Sequence, residues 1–130
     1  MDVFELDRSG LFADLSDEER SALGQVMRVE QYPVGKVLAE EGEPSSKFFV
    51  ILDGHVTVHR QGRHLADLGP GDIFGEMGVL SLEARNATVI ATTPVQVAAA
   101  MGWDLRTAIE GMPKLRERLE ASAAARQSSD

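Results

Sequence analysis

From Val29 onward the sequence breaks into short runs of β-branched and aromatic residues, with a glycine interrupting them about every eight positions. Helices cannot survive that density of breaks, whereas strands joined by tight turns require it, so the chain is expected to form an all-β roll or barrel. The spacing predicts strands at Val29–Tyr32, Lys36–Ala39, Phe48–Leu52, Val56–Arg60, Arg63–Leu68, Thr88–Thr92 and Val95–Ala100. Asp53-Gly54 and Gln61-Gly62 read as two-residue hairpin turns, because glycine accepts the positive φ that a twist-matched turn needs. In Val56-Thr57-Val58 alternation puts the valines on one face and His55, Thr57 and His59 on the other, so that this strand is half exposed.

Helical patterns flank the strand region. Ser16-Asp17-Glu18-Glu19 is a capping box, and Leu15, Ala22, Leu23, Val26 and Met27 recur at helical spacing, predicting a helix from about Ser16 to Arg28. After Gly102 a helix is expected over Trp103–Glu110, then a break at Gly111-Met112-Pro113, then a second helix from Lys114 to about Ala125. Residues 1–125 are expected to form a single domain and 126–130 a frayed tail.

The 130 residues suffice for one such module. Its apolar runs fall far short of the roughly 20 residues that a membrane span needs, and the acidic start carries no export signal. A cytoplasmic protein without membrane contact is therefore expected. With no cysteine, disulfides, thiolate zinc sites and cysteine nucleophiles are excluded. A net charge of −8 repels polyanions and argues against direct nucleic-acid binding.

The stretch from Gly71 to Thr88 lies between two strands and does not itself read as a strand. Gly75 and Gly78 allow the backbone to approach a ligand closely, and Glu76 to Leu82 can form a short helical turn whose first amides are unpaired and partly positive. Such an end attracts phosphate. Arg85, nine positions after Glu76, can return beside that end and donate two parallel hydrogen bonds to the same phosphate. An ionised carboxylate only accepts, so Glu76 suits the hydroxyl of a ribose attached to that phosphate. The competing reading is a structural ion pair between Glu76 and Arg85.

With Phe74-Gly75-Glu76-Met77-Gly78-Val79, Ala84-Arg85-Asn86-Ala87-Thr88 and the spacing between them, the sequence resembles the cyclic nucleotide-binding domain family, which includes catabolite activator proteins and the regulatory subunits of protein kinase A. Tyr32-Pro33-Val34-Gly35, Glu41-Gly42-Glu43, Phe48 to Gly54 and Leu68-Gly69-Pro70-Gly71-Asp72 extend the resemblance over about Leu11 to Leu119. It implies an eight-stranded-type β-roll of the jelly-roll kind, flanked by N-terminal and C-terminal helices, that binds cAMP or cGMP. The implied ligand-binding residues are Phe74, Gly75, Glu76, Met77, Gly78, Arg85, Asn86 and Ala87. Arg85 would hold the cyclic phosphate, Glu76 the ribose 2′-hydroxyl, and amides near Gly75, Gly78 and Asn86 would complete the cradle. Gly78 and Ala84 stand where the family favours alanine and proline, and Asn86 both donates and accepts, so the base stays open.

Nothing resembles a nucleophile with its base, so the expected role is that of a receiver rather than an enzyme. No cofactor is expected. The working expectation is a stand-alone regulatory domain whose C-terminal helices change position on binding and signal to an effector protein. The alternative is a degenerate roll that binds no nucleotide and acts by assembly, including as a homo-oligomer. A metal-dependent roll enzyme ranks last: His55, His59 and His64 are available, but no His-x-His pair occurs. Trp103 could stack on a base but is expected to pack the helix onto the roll. Leu115 and Leu119 could cover the base or form a packing stripe.

Overall fold

The computed structural model describes residues 15–42, 47–75 and 87–128. Helix α1 (Asp17–Val26) precedes strands β1 (Met27–Tyr32), β2 (Val37–Ala39), β3 (Lys47–Asp53), β4 (Val56–Arg60), β5 (Arg63–Leu68), β6 (Ile73–Phe74), β7 (Thr88–Ala91) and β8 (Val95–Met101). Helices α2 (Gly102–Ile109) and α3 (Pro113–Ser128) follow. The strands form two four-stranded antiparallel sheets, β1-β8-β3-β6 and β2-β7-β4-β5. The chain therefore changes sheet at nearly every turn, and β4–β5 is the one sequential pair that stays within a sheet. This is the expected roll.

Strands β3, β6 and β8 of the first sheet are buried on both faces, which explains their continuous apolar runs, whereas β1 at its edge is exposed or half-buried. Phe48, Val50, Ile73, Ala98 and Ala100 face the helices, where Leu23, Leu105, Ile109, Leu115 and Leu119 cover them. Phe49, Ile51, Phe74, Val95, Val97 and Ala99 face the second sheet and meet Val56, Val58, Val89 and Ala91. Phe49 and Phe74 stack with ring centroids 4.6 Å apart. Among the described residues the second sheet is covered on one side only; Thr57, His59, His64 and Asp67 stand on its outer face, since Val56 and Val58 point inward.

Several boundaries differ from the expectation, each for a local reason. Helix α1 stops at Val26, and Met27 and Arg28 pair with Ala100 and Ala99 as the start of β1. Gly71 to Thr88 was expected to contain no strand, yet Ile73 and Phe74 add to the edge of the first sheet against Val50 and Phe49. Asp53-Gly54 is not a hairpin turn: β3 and β4 belong to different sheets, and Gly54 (φ +87°) turns the chain between them. Gln61-Gly62 is the expected hairpin, with both residues at positive φ, 51° and 77°. Trp103 does not pack onto the roll; it is 67% exposed. Leu115 and Leu119 form the packing stripe.

The N-terminus of α1 carries the expected capping box. Ser16 Oγ accepts from the Glu19 amide at 3.1 Å, and Glu19 Oε1 accepts from the Ser16 amide at 2.9 Å. Ser16→Ala is expected to lower the unfolding free energy by about 1 kcal/mol, read as a lower urea midpoint at unchanged m-value.

Candidate functional site

The fold brings the ends of the glycine- and arginine-bearing segment to two different sheets. The segment leaves from Phe74, buried at the edge of the first sheet, and re-enters at Thr88, the first residue of an interior strand of the second. Gly75, immediately after β6, has φ +89°, a conformation that side-chain-bearing residues rarely adopt. That glycine is thus required by the backbone where the segment departs. Ala87 packs against the inter-sheet core just before the chain re-enters. Of the residues expected to touch ligand, Phe74, Gly75 and Ala87 are placed in this way. Glu76, Met77, Gly78, Arg85 and Asn86 lie outside the described residues, as does the expected helical turn from Glu76 to Leu82.

Thr88 is tied down by contacts that sequence reasoning missed. Its Oγ1 accepts a hydrogen bond from the Glu41 amide at 3.1 Å. The Glu41 carboxylate in turn accepts from the Gln61 amide at 2.8 Å, in the turn of the β4–β5 hairpin. These bonds connect the β2–β3 loop, the hairpin tip and the start of β7 into one strap at the C-terminal end of the segment. A carboxylate accepting from an amide makes a charge-assisted bond, about twice as strong as a neutral one. The three residues are 20 and 47 positions apart, and no local pattern announces their meeting.

The crossing from β5 to β6 is bonded to β3. Gly71 donates to the Ile51 carbonyl at 2.8 Å, and Ile51 donates to the Asp72 carbonyl at 2.9 Å. The Asp72 carboxylate accepts from the Gly69 amide at 2.8 Å and closes the turn that leads into β6. Gly69-Pro70-Gly71-Asp72 therefore sets the position of Phe74 and of Gly75 beyond it.

Away from this segment, two surface clefts of about 460 and 310 Å³ occur, the first lined by Gln31, Tyr32 and Asp53 and the second by Arg28, Lys47 and Asp104. Neither is lined by Phe74, Gly75 or Ala87. In the first, the Tyr32 hydroxyl donates to Glu30 at 2.9 Å. Partial burial, then that hydrogen bond and the nearby negative charge, hold the Tyr32 phenol above its usual 10.0. A group whose folded-state pKa is raised stabilises the fold below its unfolded pKa, and that contribution is lost as pH rises through the folded value. Tyr32 is the single tyrosine, so its ionisation can be followed alone. The tyrosinate absorbance is expected to rise at a higher pH in the folded than in the unfolded protein, with Glu30→Gln moving the midpoint back down.

Residues 29–110 match the family model described as the cyclic nucleotide-binding domain. The sequence is 31% identical over 117 residues to a cyclic nucleotide-gated potassium channel of Rhizobium etli, covering 90% of this chain and 33% of the channel. It is 29% identical over 119 residues to a CRP-like cAMP-activated global transcriptional regulator of Mycobacterium tuberculosis, covering 88% of this chain and 53% of that protein. Among solved structures, the Thermus thermophilus catabolite activator protein superposes with a TM-score of 0.81 at 30% identity, covering 92% of this chain and 58% of the other. The N-terminal domain of a Streptomyces coelicolor transcriptional regulator gives 0.75 at 32% identity, covering 98% and 91%.

Roll, helices and matched segment agree: the chain belongs to the cyclic nucleotide-binding domain family. It spans about a third of the potassium channel's length and about half of the mycobacterial regulator's. Among the described residues no helix is long and apolar enough to cross a membrane.

Proposed function

We propose that this chain is a regulatory domain that binds cAMP or cGMP in the segment between β6 and β7. Arg85 holds the cyclic phosphate, Glu76 accepts from the ribose 2′-hydroxyl, and the amides near Gly75, Gly78 and Asn86 complete the cradle, with Phe74, Met77 and Ala87 forming its flanks. The match to the family across residues 29–110, which spans this whole segment, carries the reading. The positive φ at Gly75 supports it, because glycine lets the backbone turn out of β6 into this segment. The mycobacterial relative is described as cAMP-activated and the rhizobial one as cyclic nucleotide-gated, which supports the same ligand class here.

Binding shifts the C-terminal helices, and α2 and α3 pass the signal to an effector, in another polypeptide or in a further part of a longer chain. Met101 and Trp103 are exposed where β8 meets α2, so a change in helix position alters the surroundings of the single tryptophan. Calorimetric titration with cAMP and with cGMP, followed in parallel by Trp103 emission, tests both parts. Saturable binding of one nucleotide with a shift in emission is the expected result. Binding of neither nucleotide, with a melting temperature insensitive to both and a stable oligomer, rejects the proposal in favour of a roll that works by assembly.

A further inference from the structure

The outer face of the second sheet carries a pair of imidazoles that the role in nucleotide binding does not use. The sequence separates His59 and His64 by a turn, and regular pairing after Val58–Ala66 would set Leu65 opposite His59. A bulge between Val58 and His59 changes this: the register passes from Val58↔Ala66 to His59↔His64, leaving Leu65 as the extra residue. The two ring centroids then lie 5.5 Å apart, with the ring planes at 70°. Each ring has its Nε2 engaged by a residue of its own strand. His64 Nε2 lies 3.0 Å from Asp67 Oδ1, and His59 Nε2 lies 3.1 Å from Thr57 Oγ1. With Nε2–H donated to those oxygens, the lone pair of each ring sits on Nδ1.

We propose that His59 and His64 form a binding site for one first-row transition-metal dication of the copper, nickel and zinc group, held by the two Nδ1 atoms and completed by solvent. The separation suits this ligand. An ion bonded to a nitrogen of each ring at about 2.0–2.1 Å lies roughly 3.2 Å from each ring centre, which puts two ligating rings roughly 5.2 Å apart at the tetrahedral angle and roughly 5.5 Å apart at a slightly wider one. Imidazole nitrogen favours these metals over magnesium or calcium. Asp67 and Thr57 take the place of the outer hydrogen-bond partners that fix the tautomer and orientation of ligating histidines. Asp67 also brings a carboxylate to the site, 3.0 Å from His64 Nε2. Arg60 and Arg63, paired at the next position toward the hairpin tip, oppose a cation. Among the described residues no group of three or more histidine, aspartate or glutamate side chains is placed to hold a metal, so solvent supplies the remaining positions.

A bound ion would join β4 to β5 at the point where the bulge interrupts their pairing. The site is half exposed, so neither histidine is needed for the core and both can be replaced without unfolding the protein. Untagged protein at pH 7.5 is titrated with Zn²⁺ alone and with Ni²⁺ alone, read by calorimetry and by histidine ring NMR shifts. One ion per chain is expected, with perturbed resonances from His59 and His64 and not from His55. His59→Ala or His64→Ala should weaken binding at least about tenfold, and Asp67→Asn about tenfold through the outer partner. Metal at about 100 times its Kd should raise the melting temperature by about 5–10 °C. Absence of saturable binding, or binding unchanged in the His59→Ala, His64→Ala double variant, overturns the assignment.

Discussion

Arg85→Ala is expected to weaken cAMP or cGMP binding by about 100-fold or more while leaving the melting temperature of the ligand-free protein unchanged. The size follows from the chemistry of the pair. Two parallel charge-assisted hydrogen bonds to phosphate oxygens are worth about 1.5–3 kcal/mol each, and water replaces part of that when the guanidinium is removed. A residual loss of about 3 kcal/mol corresponds to about two orders of magnitude in Kd. Arg85→Lys keeps the charge but not the planar fork, so an intermediate loss of about tenfold is expected. Glu76→Gln keeps an acceptor for the ribose hydroxyl while removing its charge, and its effect should be smaller than that of Arg85→Ala. Calorimetry gives the affinities. Thermal melting provides the control, because a ligand at 100 times its Kd stabilises the native state by about 2.7 kcal/mol, and at the same ligand concentration that rise should fall to about 0.4 kcal/mol or less in Arg85→Ala. An Arg85→Ala protein that binds with wild-type affinity would remove the phosphate site from this segment.

The residues that made the fold legible are those whose chemistry acts locally. Gln61-Gly62 specifies a turn with two positive φ values, and the strands on either side follow with the expected limits. Ser16 and Glu19 mark the start of α1 through contacts within one turn of helix. Asp53-Gly54 carries the same local signal, yet the partners of β3 and β4 lie in different sheets, and pairing across the sequence is invisible to a dipeptide. Ile73 and Phe74 become a strand because Phe49 and Val50 offer them a free edge, not because two residues have a β pattern. Trp103 misled for the opposite reason: size and hydrophobicity suggested burial, whereas Gly102, Leu105 and Ile109 take the inward face of α2. At the candidate site the segment from Phe74 to Thr88 is readable as a motif, and the strap from Thr88 through Glu41 to Gln61 is not, since it depends on a loop, a hairpin tip and the start of a strand meeting. The imidazole pair depended on one bulge, which shifts the register without leaving a pattern in composition.

Gly54→Ala should be strongly destabilising, lowering the unfolding free energy by about 3–5 kcal/mol. Two costs combine. An L residue at the φ of +87° observed there is strained by about 1–2 kcal/mol. The added methyl has no room either: it would run into the backbone carbonyl of Pro94 and come within 2.8 Å of Val95 Cγ1 and 2.9 Å of Thr93 Oγ1. Overpacking of this kind costs about 1–3 kcal/mol, and more where the obstacle is backbone that cannot swing aside. It cannot swing aside here because residues 92–94 are the crossing from β7 to β8 and are bonded to the crossing from β3 to β4. The His55 amide donates to Thr93 Oγ1 at 3.0 Å, and both the amide and the hydroxyl of Thr92 donate to the His55 carbonyl, at 3.0 and 3.2 Å. Gly62→Ala separates the two costs. Gly62 has a similar φ of +77° but open space around its α-carbon, so only the strain applies and about 1–2 kcal/mol is expected. Melting should fall by about 10–20 °C in Gly54→Ala and by about 5 °C in Gly62→Ala. The crossing touches β7 beyond Ala91, at the end opposite Thr88, so nucleotide affinity measured where Gly54→Ala is still folded should match the wild type. Equal losses of stability in the two variants would show that the sheets are not locked together at Gly54 and Pro94, and that strain alone sets the cost.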